Sequence, residues 1–384
     1  MSRISIAVHG RFHAFDLAAA LLRQGIDVQL LTNYPRAIVK RWFPAERTKT
    51  LLMHGLLTRA AGKITRGDAP EFLEAAVKRY FGRWAAHKHK KFQPDAAHCW
   101  SGVAEETLRA RPAAICSVTR GSAHIGAQKR LLVDEQKRVG IPLDQPSDWI
   151  VAREEREYHL ADRLVVPSAF ARDTFLESGV PADKLRIVPL ALQAPGFAAR
   201  AEVIEARLQR LRNDTPLRVL YTGTLSYRKG MHDMQDVLRA LGQRMNFRFV
   251  GPTLPECEAF ARSAARHALI EPAVPQHNLP AIYAWGDVFV LPTIEDGFAV
   301  VLAQAQAAGL PILTTTNCGG REIIEGGGQG WIVSIRAADQ LISQLEWCDE
   351  NRDRVAEMVE LLHTRPPQRS WDDVAREFIE AVTC

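Results

Sequence analysis

The feature that most constrains this chain is a rhythm that runs, stops and starts again. Short apolar, β-branched runs alternate with stretches whose apolar residues recur at helical spacing. Ile4–Val8 is the first run, Leu17, Leu21 and Leu22 share one helical face, Gly25 stops that helix, and Asp27–Leu31 is a second run. This is a βαβ unit, whose parallel strands need a crossover helix between them. Further buried strands read at Ala113–Val118, at Arg163–Val166 (stopping at Pro167-Ser168) and at Leu185–Pro189. A helix is expected from the cap residue Ser122 through Gln128 and Leu132, and a polar helix around Arg153–Leu160. Pro and Gly then cluster at Gln193–Gly196, where the linker belongs. The rhythm restarts with Leu217–Tyr221, a helix Met231–Leu241, Phe247–Val250 ending at Gly251, Asp287–Leu291, a helix Phe298–Ala308 and Pro311–Thr314. Two such runs in 384 residues predict an α/β chain of two doubly wound parallel-sheet domains, the first over 1–192 and the second from 193. Ligands of such sheets bind beyond the carboxyl ends of the strands.

Composition closes off other classes. No stretch approaches the roughly 18 apolar residues of a membrane span, and the start of the chain lacks the shape of a signal peptide. The six cysteines are scattered with no CxxC pair, which argues against a zinc site or a disulfide framework and fits a reducing, cytoplasmic location. The net charge is only +5, yet Arg36–Lys91 alone holds fourteen Lys/Arg against four acids. With Trp42-Phe43 beside Lys40-Arg41, this segment reads either as a peripheral contact with an anionic membrane or as a solvated helical face. A basic patch alone is weak ground for nucleic-acid binding, and none is expected.

Two loops carry the chemistry. Glu295-Asp296-Gly297-Phe298-Ala299-Val300 follows a strand and leads into a helix, and Gln304 lies eight residues beyond Asp296. A carboxylate here can accept hydrogen bonds from vicinal hydroxyls, while the helix start offers backbone N–H groups to a phosphate. The alternative is a surface acidic loop that caps a helix. Gly223-Thr224-Leu225-Ser226-Tyr227-Arg228-Lys229-Gly230 offers two adjacent cations directly after a strand, with glycines that let backbone approach a ligand.

These runs resemble the donor-site signature of the retaining GT-B glycosyltransferases of family 4: Glu, seven residues, then Glu in a Glu-Gly-Phe-Gly setting. Aligned on Gly297-Phe298, the first acid is Asp296 and the second is Gln304, with Glu295 one residue early as a reserve. The family's Gly-Arg-Leu-Ser-x-x-Lys-Gly run matches at Gly223 and Lys229; its Arg is Thr224 here, so Arg228 is expected to supply the second charge. Glu157-Tyr158, Ala161-Asp162 and Val166-Pro167-Ser168-x-Phe170 resemble the run entering the interdomain cleft, with Glu157 and Tyr158 read as structural. Asn317-Cys318-Gly319-Gly320 resembles the glycine turn near the donor, and Ser370-Trp371 the start of a helix, within 366–384, that crosses back to the first domain. Gly10 stands in the family's glycine-rich loop, although the full Gly-x-Gly-x-x-Gly is missing. Arg120 and His124 follow the strand where the family often places a His on the donor sugar.

The resemblance implies two Rossmann-like domains facing a cleft, and transfer of a hexose from a nucleoside diphosphate sugar with retention. Asp296 would contact donor-sugar hydroxyls and Gln304 the ribose. Lys229 and Arg228 would neutralise the diphosphate, and Arg120 or His124 would serve the reaction centre. Gly10, Gly223, Thr224, Gly251, Glu295, Gly297, Phe298, Ala299 and Val300 would complete the donor site. No Asp-x-Asp motif accompanies the donor loop, so neither metal nor other cofactor is expected. The acceptor would be a saccharide or lipid-linked, as in bacterial envelope polysaccharide assembly at the inner face of the plasma membrane. A sugar-nucleotide epimerase of the same architecture, or a degenerate scaffold that has lost catalysis at Thr224 and Gln304, remains open. A NAD-dependent dehydrogenase is disfavoured by the missing glycine fingerprint.

Overall fold

The computed structural model describes residues 2–56, 58, 70–213, 215–324, 329–365 and 369–383. One sheet contains β1 (Arg3–Val8), β2 (Asp27–Thr32), β3 (Thr48–Thr50), β4 (Ala96–Trp100), β5 (Ile115–Thr119), β6 (Arg163–Val166) and β7 (Leu185–Ile187). The other contains β8 (Arg218–Thr222), β9 (Asn246–Val250), β10 (Ala268–Glu271), β11 (Val288–Leu291), β12 (Ile312–Thr315) and β13 (Gly330–Val333). Their orders are β3-β2-β1-β4-β5-β6-β7 and β10-β9-β8-β11-β12-β13, and every pairing is parallel. Each is the doubly wound order, with switch points at β1/β4 and β8/β11.

Parallel strands are covered on both faces, and β1 shows why its sequence is so apolar. Ile4, Ile6 and Val8 pack with Phe15 and Leu21 of α1 (Ala14–Arg23), while Ala7 turns to the core on the opposite face. The second sheet closes around Val219, Phe249, Phe289 and Leu302. Strand β4 is not announced by the sequence pattern. Ala-Ala-His-Cys-Trp contains no β-branched residue, yet all five side chains are buried. His98 remains there because both ring nitrogens are satisfied, by Ser117 Oγ and Thr119 Oγ1 at 2.8 Å each. Strands β3, β10 and β13 likewise fall outside the runs read from sequence.

The basic segment folds partly into a long helix, α2 (Glu71–Phe92). Two helices begin later than expected. Helix α3 (Ile125–Val139) starts three residues past Ser122 and is capped by His124, whose Nδ1 accepts from the Gly126 N–H at 3.2 Å. The polar helix, α4, spans Asp148–Leu160 with Ser147 as its cap, and α5 spans Met231–Leu241. Helix α6 (Val300–Ala307) cannot start at Phe298, because Ala299 stands in the left-handed region at φ +62°.

After 365 the chain returns to the first sheet. Helix α7 (Trp371–Thr383) packs Val374, Ala375, Phe378, Ala381 and Val382 against α1 and the first core. Burial of three large apolar side chains, at about 1.5–3 kcal/mol each, holds it there. No helix among the described residues is long and apolar enough to cross a membrane.

Candidate active site

The carboxyl ends of β1, β4, β5, β8 and β11 converge on one cavity of about 530 Å³ between the two sheets. First-sheet residues His9, Phe12, His13, Lys78, Trp100, Arg120, Gln128 and Glu154 wall it on one side. Arg228, Asp296, Phe298, Ala299 and Val300 face them, and Trp371, Val374 and Phe378 of α7 complete it.

The second-sheet wall is built by two loops that hold each other. The Ile294 N–H donates to the Arg228 carbonyl at 2.9 Å, so the loop after β11 lies along the loop after β8. Asp296 Oδ1 accepts from the N–H groups of Phe298 (3.2 Å) and Ala299 (2.9 Å), and Oδ2 is ion-paired with the Lys229 ammonium. Burial alone would raise the Asp296 pKa; the Lys229 charge and hydrogen bond, with Arg228 behind them, hold the carboxyl below its ordinary range. Gly251 is fixed by a close approach: a Cβ there would lie 1.9 Å from the Gly223 carbonyl oxygen, so the loops after β8 and β9 meet backbone to backbone. The Thr224 carbonyl accepts from Tyr221 Oη at 2.7 Å.

Glu295 does something else. Fully buried, it accepts from Ser122 Oγ, from the Ala123 N–H at 3.0 Å and from Gln128 Nε2 at 2.9 Å, all on the first sheet's side, and pairs with Arg228 at 2.7 Å. Burial favours its neutral form, but the Arg228 charge and the Ser122 and Ala123 donors outweigh this, so its pKa is lowered. With four donors on two oxygens it has little capacity left for a donor sugar. The reserve candidate is a clasp between the two halves. Gly297 completes the clasp: its carbonyl accepts from Ser168 Oγ at 2.6 Å, and an added Cβ would stand 2.1 Å from the Gly121 carbonyl oxygen.

Arg120 reaches the cavity, held by Glu154 Oε1 at 3.0 Å and Gln128 Oε1 at 2.6 Å. His124 does not. Its ring lies between Tyr158 and Phe175, at 5.0 Å from each, and burial with Arg130 and Arg120 lowers its pKa to about 4. Expected as a reaction-centre candidate, it is a neutral helix cap in an aromatic cluster outside the cavity lining. Two histidines do line the cavity, His9 at the end of β1 and His13 in the Gly10-Arg11-Phe12-His13 loop; His13 is stacked 6.1 Å from Trp371. Burial, then Arg11, lower its pKa to about 4 while Asp296 opposes them, so the imidazole is neutral at pH 7. Its stacking partner is distant in sequence, so no local signal could single it out. Gly10 is anchored at the loop's start by Asn33 Oδ1, 2.9 Å from its N–H. Gln304 Oε1 accepts from Tyr283 Oη at 3.0 Å; Tyr283, fully buried, is a support the sequence pattern did not reveal. Glu157 is structural as expected, receiving the N–H groups of Gly102, Ala104 and Glu105.

Two family models match along the chain: Glycosyltransferase Family 4 over residues 11–192, and Glycosyl transferases group 1 over residues 216–351. The chain belongs to the family 4 glycosyltransferases. Its similarity to individual members of this glycosyltransferase family is modest. It is 26% identical over 215 residues (51% of this chain, 55% of the relative) to the GDP-mannose-dependent alpha-(1-6)-phosphatidylinositol monomannoside mannosyltransferase of Mycobacterium tuberculosis. Against the amylovoran biosynthesis glycosyltransferase AmsK of Erwinia amylovora it is 23% identical over 353 residues, 84% of this chain and 83% of AmsK. Across four bacterial relatives the match spans 42 to 55% of their own length, about half. Among solved structures, sucrose-phosphate synthase of Thermosynechococcus elongatus superposes with a TM-score of 0.70 at 18% identity, covering 99% of this chain and 98% of that one. This likeness shows the shared GT-B fold.

Proposed function

We propose that this glycosyltransferase moves a hexose from a nucleoside diphosphate sugar to a saccharide or lipid-linked acceptor, with retention and without a metal ion, in bacterial envelope polysaccharide synthesis. The observation that carries the reading is the pair of cations after the carboxyl end of β8, each ion-paired with an acid from the loop after β11, with Arg228 and Asp296 lining the cavity. A diphosphate arriving there competes with Glu295 and Asp296 for Arg228 and Lys229. As the leaving group departs, these cations stabilise the charge it develops. Asp296, freed from Lys229, is left to accept hydrogen bonds from sugar hydroxyls. The acceptor hydroxyl attacks from the face the diphosphate leaves, and the departing phosphate takes its proton. Neutral His13 can bond a hydroxyl without adding charge, and Arg120 can hold the acceptor on the opposite wall. Gly10, Gly223, Gly251, Phe298, Ala299, Val300 and the Thr224 and Gln304 side chains line or support the donor's path. The link to envelope polysaccharides rests on likeness to a relative named for amylovoran synthesis.

A peripheral membrane contact belongs to the same reading, in modified form. Phe43 is buried and Trp42 packs on the first core, so these aromatics are not the contact. Leu52, Met53, Leu56, Phe72 and Tyr80 are exposed instead, Phe72 to 76%, with Arg79 and Arg83 exposed beside them on α2. Lys63 and Arg66 lie outside the described residues. Such a site would sit at the inner face of the plasma membrane.

The deciding experiment is thermal unfolding of the purified protein with saturating UDP, GDP, ADP or dTDP, in EDTA. A ligand at about a hundred times its dissociation constant adds roughly 2.7 kcal/mol, a shift of a few degrees. A shift with one nucleotide supports a metal-independent donor site and identifies the base. No shift with any of them defeats the reading and favours the scaffold.

A further inference from the structure

Lys78 has no part in the donor chemistry described above. It projects from α2 into the wall of the cavity, on the first sheet's side, away from the two cations after β8. Its ammonium makes a hydrogen bond to His9 Nε2 at 3.0 Å and lies against Gly102. Among the described residues no carboxylate oxygen stands within ion-pair distance of it. The three acids that act on it through space are committed elsewhere. Glu154 holds Arg120 and receives the Tyr158 hydroxyl at 2.6 Å; Glu157 is filled by three backbone N–H groups; Glu74 accepts from Ser147 at 2.8 Å.

The tautomer of His9 sharpens the point. An ammonium can only donate, so Nε2 must accept and the ring proton resides on Nδ1. That Nδ1 is buried and, among the described residues, has no hydrogen-bond partner. Of two side chains that wall the same end of the cavity, His9 thus holds a donor without an acceptor and Lys78 spends one N–H on His9, so an incoming acceptor would relieve a costly state. Burial lowers the Lys78 pKa, with Glu154, Glu74 and Glu157 opposing that shift. The neighbouring wall is apolar and aromatic, with Trp100, Phe378 and Val374, the kind of surface on which a sugar ring can lie.

We propose that this end of the cleft is an acceptor subsite for an anionic group, a carboxylate or phosphate carried on the acceptor sugar, held by Lys78. The subsite rests on reading the cleft as a glycosyl-transfer site, and it narrows the acceptor class from any saccharide to a charged one. Lys78 reads the charge, His9 fixes the ammonium, and the aromatic wall takes the ring face. The acceptor hydroxyl is left pointing toward the Asp296 side, where transfer occurs.

The test is titration of the full chain with glucuronate, glucose 6-phosphate and glucose, followed by tryptophan fluorescence, with and without saturating nucleoside diphosphate. Nucleotide occupies the donor cations, so an anion that still binds is not borrowing them. At least one anionic sugar is expected to bind ten-fold or more tighter than glucose. Lys78→Met should erase that preference and Lys78→Arg should keep most of it. Preference for glucuronate assigns a carboxylate, preference for glucose 6-phosphate a phosphate. Equal binding of all three sugars, no binding of either anion, or a preference that survives in Lys78→Met overturns the subsite. A Lys78→Met chain that fails to fold leaves the wild-type comparison and Lys78→Arg to decide. Failure of every nucleoside diphosphate to bind the wild-type chain overturns the transferase reading instead, and the two failures are separately visible.

Discussion

At the scale of single residues, the donor site departs from its family pattern in ways the structure makes intelligible. Thr224 replaces an arginine, and its contribution here is a backbone carbonyl to Tyr221. The second cation of the proposed donor site is Arg228, which is also tied to Glu295. Among the described residues Lys229 has Asp296, the acid proposed to contact the sugar, as its one ion-pair partner. Lys229→Ala should lower kcat/KM by about 10²–10³-fold, the loss seen when one preorganised charge-stabilising donor is removed. Initial-rate kinetics with the cognate donor would measure it. Wild-type-like turnover in that variant would mean Lys229 is not in the chemistry. Gln304 keeps its hydrogen-bonding capacity without charge, and Tyr283 fixes one end of it, so the amide nitrogen is the group it offers outward.

At the scale of elements, α2 has two different faces. Phe81, Ala85 and His89 are buried, and burial lowers the His89 pKa to about 3, so this histidine adds no charge to the basic run Lys88–Lys91. The outer face, with Phe72, Arg79, Tyr80 and Arg83, joins exposed Leu52, Met53 and Leu56 from the segment before it. Exposed apolar side chains with Arg79 and Arg83 beside them fit an anionic bilayer surface. Sedimentation with phosphatidylglycerol vesicles should carry the protein down at low salt, and phosphatidylcholine vesicles should not. Raising salt, or Phe72→Ser, should weaken binding at least fivefold, since each basic group near the surface contributes about 1 kcal/mol and a buried Phe about 1.5–3 kcal/mol. Equal recovery with neutral vesicles would leave this face as ordinary solvated surface.

At the scale of the whole molecule, the cleft is closed by groups from both halves. Glu295 with Ser122, Ala123 and Gln128, Ser168 with Gly297, and the Ala169 N–H with Glu322 at 2.5 Å join the loops. Farther out, Arg336 reaches Glu135 at 2.8 Å, and Arg138 pairs with Asp233. Gly297→Ala is the sharpest probe, because the new Cβ would stand 2.1 Å from one backbone atom and 2.6 Å from Ser122 Cα, and backbone cannot step aside as a flexible side chain can. Turnover should fall ten-fold or more while nucleotide still raises the unfolding midpoint, since Arg228 and Lys229, the cations proposed to hold the diphosphate, both lie within the second half. Small-angle scattering should show a larger radius of gyration. Unchanged scattering with unchanged turnover would show that closure does not depend on this contact.

The repeated βα rhythm was enough to determine two parallel sheets, because strands buried on both faces must be continuously apolar whatever surrounds them. The two candidate donor loops were legible as strand-end loops for a similar reason: Gly223, Lys229 and Asp296 lie within a few residues of their own strand ends. Strand β4 was not legible, since Ala96, Ala97, His98 and Cys99 become strand residues only once Ser117, Thr119 and α7 enclose them. His13, Lys78 and the clasp at Glu295 belong to the same class. Each draws its role from a partner far along the chain, Trp371, His9 or Ser122, and burial among such partners decides whether a polar group is satisfied, charged or left for a ligand. Local pattern fixes where backbone goes; only the tertiary contacts fix which of its polar groups are already spent.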